Sequence, residues 1–151
     1  MKLAEALKER ADLNKNISNL RWRLERIMLV QEGEEPAEDP KELKKQLDGS
    51  LDRLEYLIAA INHSNDRISA GGMTLTELIA KKDVTQIRLA AYRDMAQEAS
   101  AGVDRARGTE IRIVPTVKVA DLRKEADRMA KEIRELDNLL QETNWTQEMI
   151  E

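Results

Sequence analysis

The sequence predicts an all-α protein of four long amphipathic helices that pair as antiparallel coiled-coil-like hairpins. Three observations support this prediction. Apolar residues recur at alternating steps of three and four along most of the 151 residues, and helix-breaking sequences divide the chain into segments. The composition, with 36% charged and 3% aromatic residues, is typical of helical bundles. The length suits a single helical domain over residues 1–151.

The first predicted helix covers residues 2–32, where a heptad seam of apolar residues is interrupted only by Arg10. It is expected to end at the sequence QEGEEPAEDP, because one glycine and two prolines there disrupt helical geometry. The second helix is predicted over residues 40–69. Asp39 is placed to act as its N-cap, and Pro40 suits the first helical position.

The third helix is predicted over residues 75–99, after a break at Ala70-Gly71-Gly72 and a capping box in the sequence TLTE. So short a connection predicts an antiparallel hairpin with the second helix. Its apolar pattern is the least regular of the four helices. The predicted seam consists of Leu75, Leu78, Ile79, Ile87, Leu89, Tyr92, Met95 and Ala99.

A short extended, β-like arm is predicted near residues 110–117, between the third helix and a fourth helix over residues 119–143. The arm is rich in β-branched residues, and its apolar positions alternate. Pro115 cannot donate a ladder hydrogen bond, which favours an edge pairing with a segment of another chain. The arm residues expected to contribute to an oligomer contact are Ile111, Ile113 and Val117.

The charge balance does not favour nucleic-acid binding. The 25 Lys and Arg residues against 29 Asp and Glu residues leave a formal net charge of −4, which opposes association with phosphate backbones. The first residues lack the apolar core of a signal peptide, and no stretch approaches the ~20 apolar residues that a membrane span requires. Together with the absence of cysteine, these features predict a cytoplasmic protein without a membrane or nucleic-acid partner.

Several polar residues fall on or beside the predicted seams, where they cost stability unless they are hydrogen-bonded. Polar groups in helical cores can fix register and oligomeric state. We therefore expect these residues to specify assembly, and the alternative is a small polar pocket for an ion or an anionic ligand. The candidates are Arg10, Asn14, Asn62, Asn65 and Asp83, and Ser64 and Lys82 fall in similar positions.

Glu34, Glu35 and Glu38 form an EExxE string that resembles the magnesium ligands of all-α nucleotide pyrophosphatases. Because a glycine and a proline place these carboxylates in a turn, a solvated acidic turn is the preferred interpretation, and no cofactor is expected. Magnesium is the ion under the alternative interpretation. The lone His63 falls on the outer face of the second helix and is expected to be exposed and non-catalytic.

Segments distributed over the whole chain resemble the septicolysin-like family of small bacterial proteins. These segments are MKLAEALKERADLN, VQEGEEPAEDP, INHSN, TLTELIAKKD, IRIVPTVKVADL and NWTQEM. The resemblance implies a compact, oligomeric helical protein of bacterial type, and the family's name implies a cytolysin. The family's second-helix motif has a different residue type at the position of His63, which implies that this histidine has no catalytic role.

These observations predict a self-associating helical bundle with a structural or interaction role, which forms a homo-oligomer and is not an enzyme. The alternative is a metal-dependent enzyme or binding protein for a phosphorylated small molecule, with the acidic turn or the polar seam as its site. A membrane-active protein is a third interpretation.

Overall fold

The computed structural model describes residues 1–101 and 111–151. Within these residues the chain forms four α helices and a two-stranded hairpin, so the all-α prediction is confirmed. The helices are α1 (Leu3–Arg26), α2 (Pro40–Arg67), α3 (Leu75–Ala101) and α4 (Val119–Thr146), and the strands are β1 (Ser69–Ala70) and β2 (Met73–Thr74). Two compact units divide the chain. Unit 1 is Met1–Ser69 with Glu142–Glu151, and unit 2 is Ala70–Gln141.

Unit 1 is built on the packing of α1 against α2. Leu20 and Ile27 pack with Leu43 in one buried cluster near the turn between the helices. Farther from this turn, the side-chain amide of Asn16 donates a hydrogen bond of 3.3 Å to the hydroxyl of Ser50. Because decreasing residue numbers in α1 meet increasing numbers in α2, the two helices run antiparallel, as their heptad seams predict.

The first helix ends at Arg26, several residues before its predicted end. The backbone N–H of Ile27 donates a 3.1 Å hydrogen bond to the carbonyl of Leu24, and its side chain is buried. The apolar residues 28–30 that follow are exposed, and Leu29 is 91% exposed. The predicted boundary was wrong because it was placed at the glycine and prolines of the following turn, whereas the helix ends next to Ile27, the last buried residue of its seam.

Backbone hydrogen bonds hold the C-terminal segment of unit 1 against the start of α1. Lys2 and Glu148 form an antiparallel bridge. It is flanked by a 3.0 Å hydrogen bond from the Leu3 N–H to the Gln147 carbonyl and a 2.9 Å hydrogen bond from the Met149 N–H to the Met1 carbonyl. Leu3 and Met149, next to the bridge, are both buried. The core of unit 1 therefore includes residues that follow unit 2 in the sequence.

A tight hairpin replaces the simple break predicted before α3. Gly71 and Gly72 form the loop between β1 and β2, with φ angles of 60° and 81° that favour glycine. A Cβ atom on Gly71 would lie 3.0 Å from a side-chain methyl of Leu139. The predicted capping box is present, because Thr74 and Glu77 exchange backbone-to-side-chain hydrogen bonds of 2.8 and 3.2 Å.

Unit 2 is built on the packing of α3 against α4. Leu89 packs with Ala126 and Met129 in a buried cluster. Lys82 donates a 2.6 Å hydrogen bond to a carboxylate oxygen of Asp137. Since the earlier residue of α3 meets the later residue of α4, these two helices are also antiparallel.

The buried side of α3 follows a regular heptad pattern that the sequence prediction did not find. Ile79, Ile87 and Met95 were assigned to the seam, but all three are exposed. The prediction was wrong because α3 carries apolar residues on more than one face, and a selection by apolarity mixed these faces. The observed stripe comprises Leu75, Leu78, Lys82, Thr85, Leu89, Tyr92, Ala96 and Ala99, all buried or half-buried.

Residues 111–118 lead into α4 without forming a helix or a strand. The three arm candidates Ile111, Ile113 and Val117 are exposed. Residue 110, the first of the predicted arm, lies outside the described residues. The exposed apolar side chains fit an arm that contacts another chain, and this contact stays a prediction.

Candidate functional site

The exposed face of α3 carries a second apolar pattern, which we call the outer stripe. It consists of Ala80, Val84, Ile87 and Ala91, at successive spacings of four, three and four residues. Val84 is 53% exposed and Ile87 is 70% exposed. A stripe with this spacing lies along one side of a helix and matches the a and d positions of a coiled coil. It is therefore a candidate contact surface for another helix.

Opposite charges flank the outer stripe. If Ile87 occupies a d position, Asp83 occupies a g position and Arg88 an e position. Both side chains are exposed, and neither forms an ion pair with another residue in the described part of the chain. Residues at e and g positions decide which helix a coiled-coil surface accepts and in which orientation.

The polar residues predicted to specify assembly lie at or near the surface of the chain. Arg10 and Asn65 are half-buried, whereas Asn14, Asn62 and Asp83 are exposed. The structure therefore does not bring them together in a buried polar site. Of the five, Asp83 lies beside the outer stripe, where it can contribute to an association between chains. The role of this set in assembly stays a prediction.

Other polar side chains occupy buried positions in the described residues. Ser64 lies on the α1 side of α2, where its hydroxyl donates to the Ala60 carbonyl and accepts from the Ile150 N–H, each over 2.8 Å. In unit 2, the hydroxyl of Thr85 donates to the Lys81 carbonyl over 2.6 Å. Ser64 was recognised from its register, whereas Thr85 was missed. The signal for Thr85 was its position in the heptad between Leu78 and Leu89.

The acidic turn is partly neutralised by an ion pair. The guanidinium of Arg23 makes two hydrogen bonds to the Glu38 carboxylate, one of them from Nε over 3.0 Å. Glu34 and Glu35 are exposed. In residues 1–101 and 111–151, no group of three or more acidic or histidine side chains is placed to hold a metal ion. The magnesium alternative stays a prediction.

Two side chains of unit 1 line concave parts of its surface. Trp145 is 61% exposed and borders an open groove of about 540 Å³ along α1. His63, expected to be exposed, is half-buried and lines a smaller pocket with Tyr56 and Glu151.

Four carboxylates in the described residues have pKa values below their ordinary range. The main cause in each case is a hydrogen bond from a cationic side chain, which stabilises the ionised form. The pairs are Glu9 with Arg53, Glu38 with Arg23, Asp137 with Lys82, and Glu148 with Lys2. These ion pairs link α1 to α2, α1 to the turn, α3 to α4, and the N-terminal to the C-terminal residues.

These lowered pKa values predict acid sensitivity. The unfolded chain, with ordinary carboxylate pKa values near ~4, binds more protons at acidic pH than the folded chain does. Stability from these pairs is therefore fully present above about pH 5 and is lost as pH falls through the lowered folded-state values. Thermal melting at pH 7, 5, 4 and 3 should show a falling midpoint below pH 5. A midpoint that stays constant or rises down to pH 3 would contradict this prediction.

None of the helices in the described residues is both long and apolar enough to cross a membrane.

A model of the family of unknown function DUF6847 matches residues 10–149. The chain belongs to this family. It is also similar to a crystal structure described as a functionally unknown conserved protein from Corynebacterium diphtheriae, with a TM-score of 0.87 and 35% sequence identity. The similarity covers 99% of each chain. No curated protein matches the sequence.

The resemblance to the septicolysin-like family is wrong. The match to the DUF6847 family covers nearly the whole chain, and neither this family nor the structure from Corynebacterium diphtheriae carries a septicolysin name. The quoted segments are helix starts, turns and heptad runs, whose residue types recur in unrelated helical bundles. The similar crystal structure supports the fold, and membership of the DUF6847 family assigns no activity.

Proposed function

We propose that this protein self-associates and has a structural or interaction role, without catalysis. Large apolar side chains at the surface of the single chain support this proposal. Burying such side chains against another protein removes apolar area from water and favours association. The outer stripe of α3 gives the strongest support for the proposal, because its exposed residues have the regular spacing of a helix-pairing surface.

Further exposed apolar side chains are present in each unit. In unit 1, Leu29 is almost fully exposed in the turn after α1, and Met28 and Val30 flank it. In unit 2, Ile111 and Val114 precede α4 and are exposed. Contiguous exposed apolar residues mark interaction surfaces more often than isolated ones do.

Ion pairs within the units hold the paired helices in place, including the outer stripe of α3. Arg53 binds the carboxylate of Glu9 through two hydrogen bonds of 2.7 and 2.9 Å, which join α1 and α2. In unit 2, Lys82 binds Asp137 across the α3 and α4 pair. A two-point contact between a guanidinium and a carboxylate fixes the relative position of two helices more narrowly than a single hydrogen bond does. A helical surface held in this way loses little conformational entropy on association.

The test is the molar mass in solution, measured by light scattering coupled to size exclusion over a 100-fold range of protein concentration. The mass of one chain is 17.3 kDa. We expect the weight-average mass to exceed this value and either to form one discrete oligomer or to rise with concentration. A mass of one chain at every concentration, up to the highest that can be prepared, would contradict the proposal.

A further inference from the structure

We infer that the outer stripe of α3 is a dimerisation surface that pairs with the same stripe of a second copy, with the two α3 helices parallel and in register. This inference rests on the proposed self-association and adds the surface, the partner and the orientation. It is carried by two independent observations, which are the apolar spacing of the stripe and the charges beside it.

The apolar layers of a parallel pair follow from the spacing. In a parallel, in-register pair, each a or d residue meets its own counterpart. Val84 and Ile87 then form the two central layers, and Ala80 and Ala91 form the outer layers. The small alanines let the two backbones approach closely at both ends, so the exposed Val84 and Ile87 side chains can interdigitate.

The charges favour the same arrangement. In a parallel coiled coil a g residue faces the e residue that lies five positions later on the partner helix. Asp83 therefore faces Arg88 of the second copy, and the two-fold symmetry makes this pair twice. The next g and e residues are Ala90 and Met95, which are both apolar and exposed, whereas the following d residue, Asp94, meets its own counterpart and ends the contact.

An antiparallel pair of the same stripes would lose the Asp83–Arg88 ion pairs. In that orientation e residues face e residues of the partner. With Val84 packed against Ile87 in the centre, Arg88 would face Lys81, which is already paired with Glu132 of its own chain over 3.4 Å. Arg88 would therefore meet no free carboxylate there, and Asp83 would meet Ala90 instead of a cation. The flanking charges therefore favour the parallel orientation.

The apolar part of the outer stripe covers about two heptads, which places the contact among small interfaces of less than ~1,200 Å². Such interfaces are associated with weak or transient complexes. We therefore expect the fraction of dimer to increase as the protein concentration is raised. Because the flanking ion pairs are exposed, higher salt should weaken it.

Disulfide cross-linking tests the orientation directly, because the natural chain contains no cysteine. The variant Ile87→Cys should form a covalent dimer with itself under mild oxidation, since residue 87 meets residue 87 of the second copy. Ile79→Cys is the matched control on the same helix, and its exposed position lies off the stripe. After the same oxidation, the control should remain monomeric on a non-reducing gel. A covalent dimer that forms only when Val84→Cys and Ile87→Cys are mixed would overturn the parallel arrangement.

Charge reversal provides a second test that does not depend on cysteine chemistry. Asp83→Arg and Arg88→Asp each replace two attractive pairs by two repulsive ones, and each should weaken dimerisation by about 10-fold. An equal mixture of the two variants should restore association, because the arginine introduced at position 83 of one chain then faces the aspartate introduced at position 88 of the other. All substituted positions are exposed, so the melting temperature of the dilute chain should remain unchanged and confirm that the variants are folded.

The outcomes separate this inference from the proposed self-association. If the protein associates, but Ile87→Cys forms no dimer and neither charge reversal weakens association, then the surface is wrong and self-association stands. If the unmodified protein has the mass of one chain at every concentration, both proposals are wrong. Self-cross-linking at residue 87 together with rescue in the mixture would establish the parallel α3 pair.

Discussion

Replacing Leu57 by alanine is expected to lower the free energy of unfolding by about 2–5 kcal/mol, because the substitution leaves a cavity in a close-packed core. The Leu57 side chain has 0% exposure and lies on the α1 side of α2, in line with the buried Leu43 and Ile61. Urea denaturation followed by circular dichroism would measure the change, with the midpoint shifted and the slope retained.

The matched control for this substitution is Leu51→Ala, on the same helix. Leu51 is 42% exposed, so its replacement removes the same number of methyl groups and leaves no enclosed cavity. Both substitutions change helix propensity equally, since each replaces leucine by alanine. The control should cost less than about 1 kcal/mol. Equal losses for the two variants would show that burial of Leu57 does not determine the stability of unit 1.

Replacing Ser64 by valine should have an effect of similar size for a different reason. The Ser64 side chain is fully buried, and its oxygen accepts a hydrogen bond from the backbone N–H of Ile150. Valine removes this acceptor and adds a methyl group to a filled space. Loss of a buried hydrogen-bond partner costs about 1–3 kcal/mol, and overpacking costs a further ~1–3 kcal/mol. Urea denaturation would again measure the total decrease in the free energy of unfolding.

Two further variants separate these contributions. Ser64→Ala removes the hydroxyl without adding volume, so it should lose only the hydrogen-bond part, about 1–3 kcal/mol. Ser18→Val, at an exposed position of α1, carries the same penalty for a β-branched residue in a helix and should have a small effect. If Ser64→Val is as stable as Ser18→Val, the buried hydroxyl does not hold the C-terminal segment in place.

The pairing of α1 with α2 could be predicted from the sequence because each helix has one dominant apolar face. Leu20 and Leu43 belong to predicted seams and are buried together. The core of α3 could not be predicted in the same way, because apolarity alone does not distinguish a face that packs within the chain from one that remains exposed. Lys82 and Thr85 interrupt the buried face, whereas Val84 and Ile87 make the exposed face apolar. The spacing of both stripes was present in the sequence, but only the structure assigns each to its side.

The candidate site was predicted less well than the fold. Asp83 was selected as a polar interruption of a seam, and the structure places it beside an exposed stripe, where its charge can select a partner. Asn14 and Asn62 were selected by the same reasoning and are simply exposed. A polar residue beside a seam can be assigned to the core only if the edge of the buried face is known to within one residue.

The bridge between Lys2 and Glu148 has a consequence for the order of events during synthesis. Unit 2 is continuous in sequence, whereas unit 1 needs residues 142–151 to complete its core. Contacts between residues that are far apart in sequence, such as Lys2 and Glu148, form more slowly than local contacts do. Unit 2 can therefore complete its core before unit 1 does, which is the reverse of the usual order in which the first-made part folds first. On the ribosome, α1 and α2 can pair early, but the bridge at Lys2 cannot form until residues 147–149 have been translated.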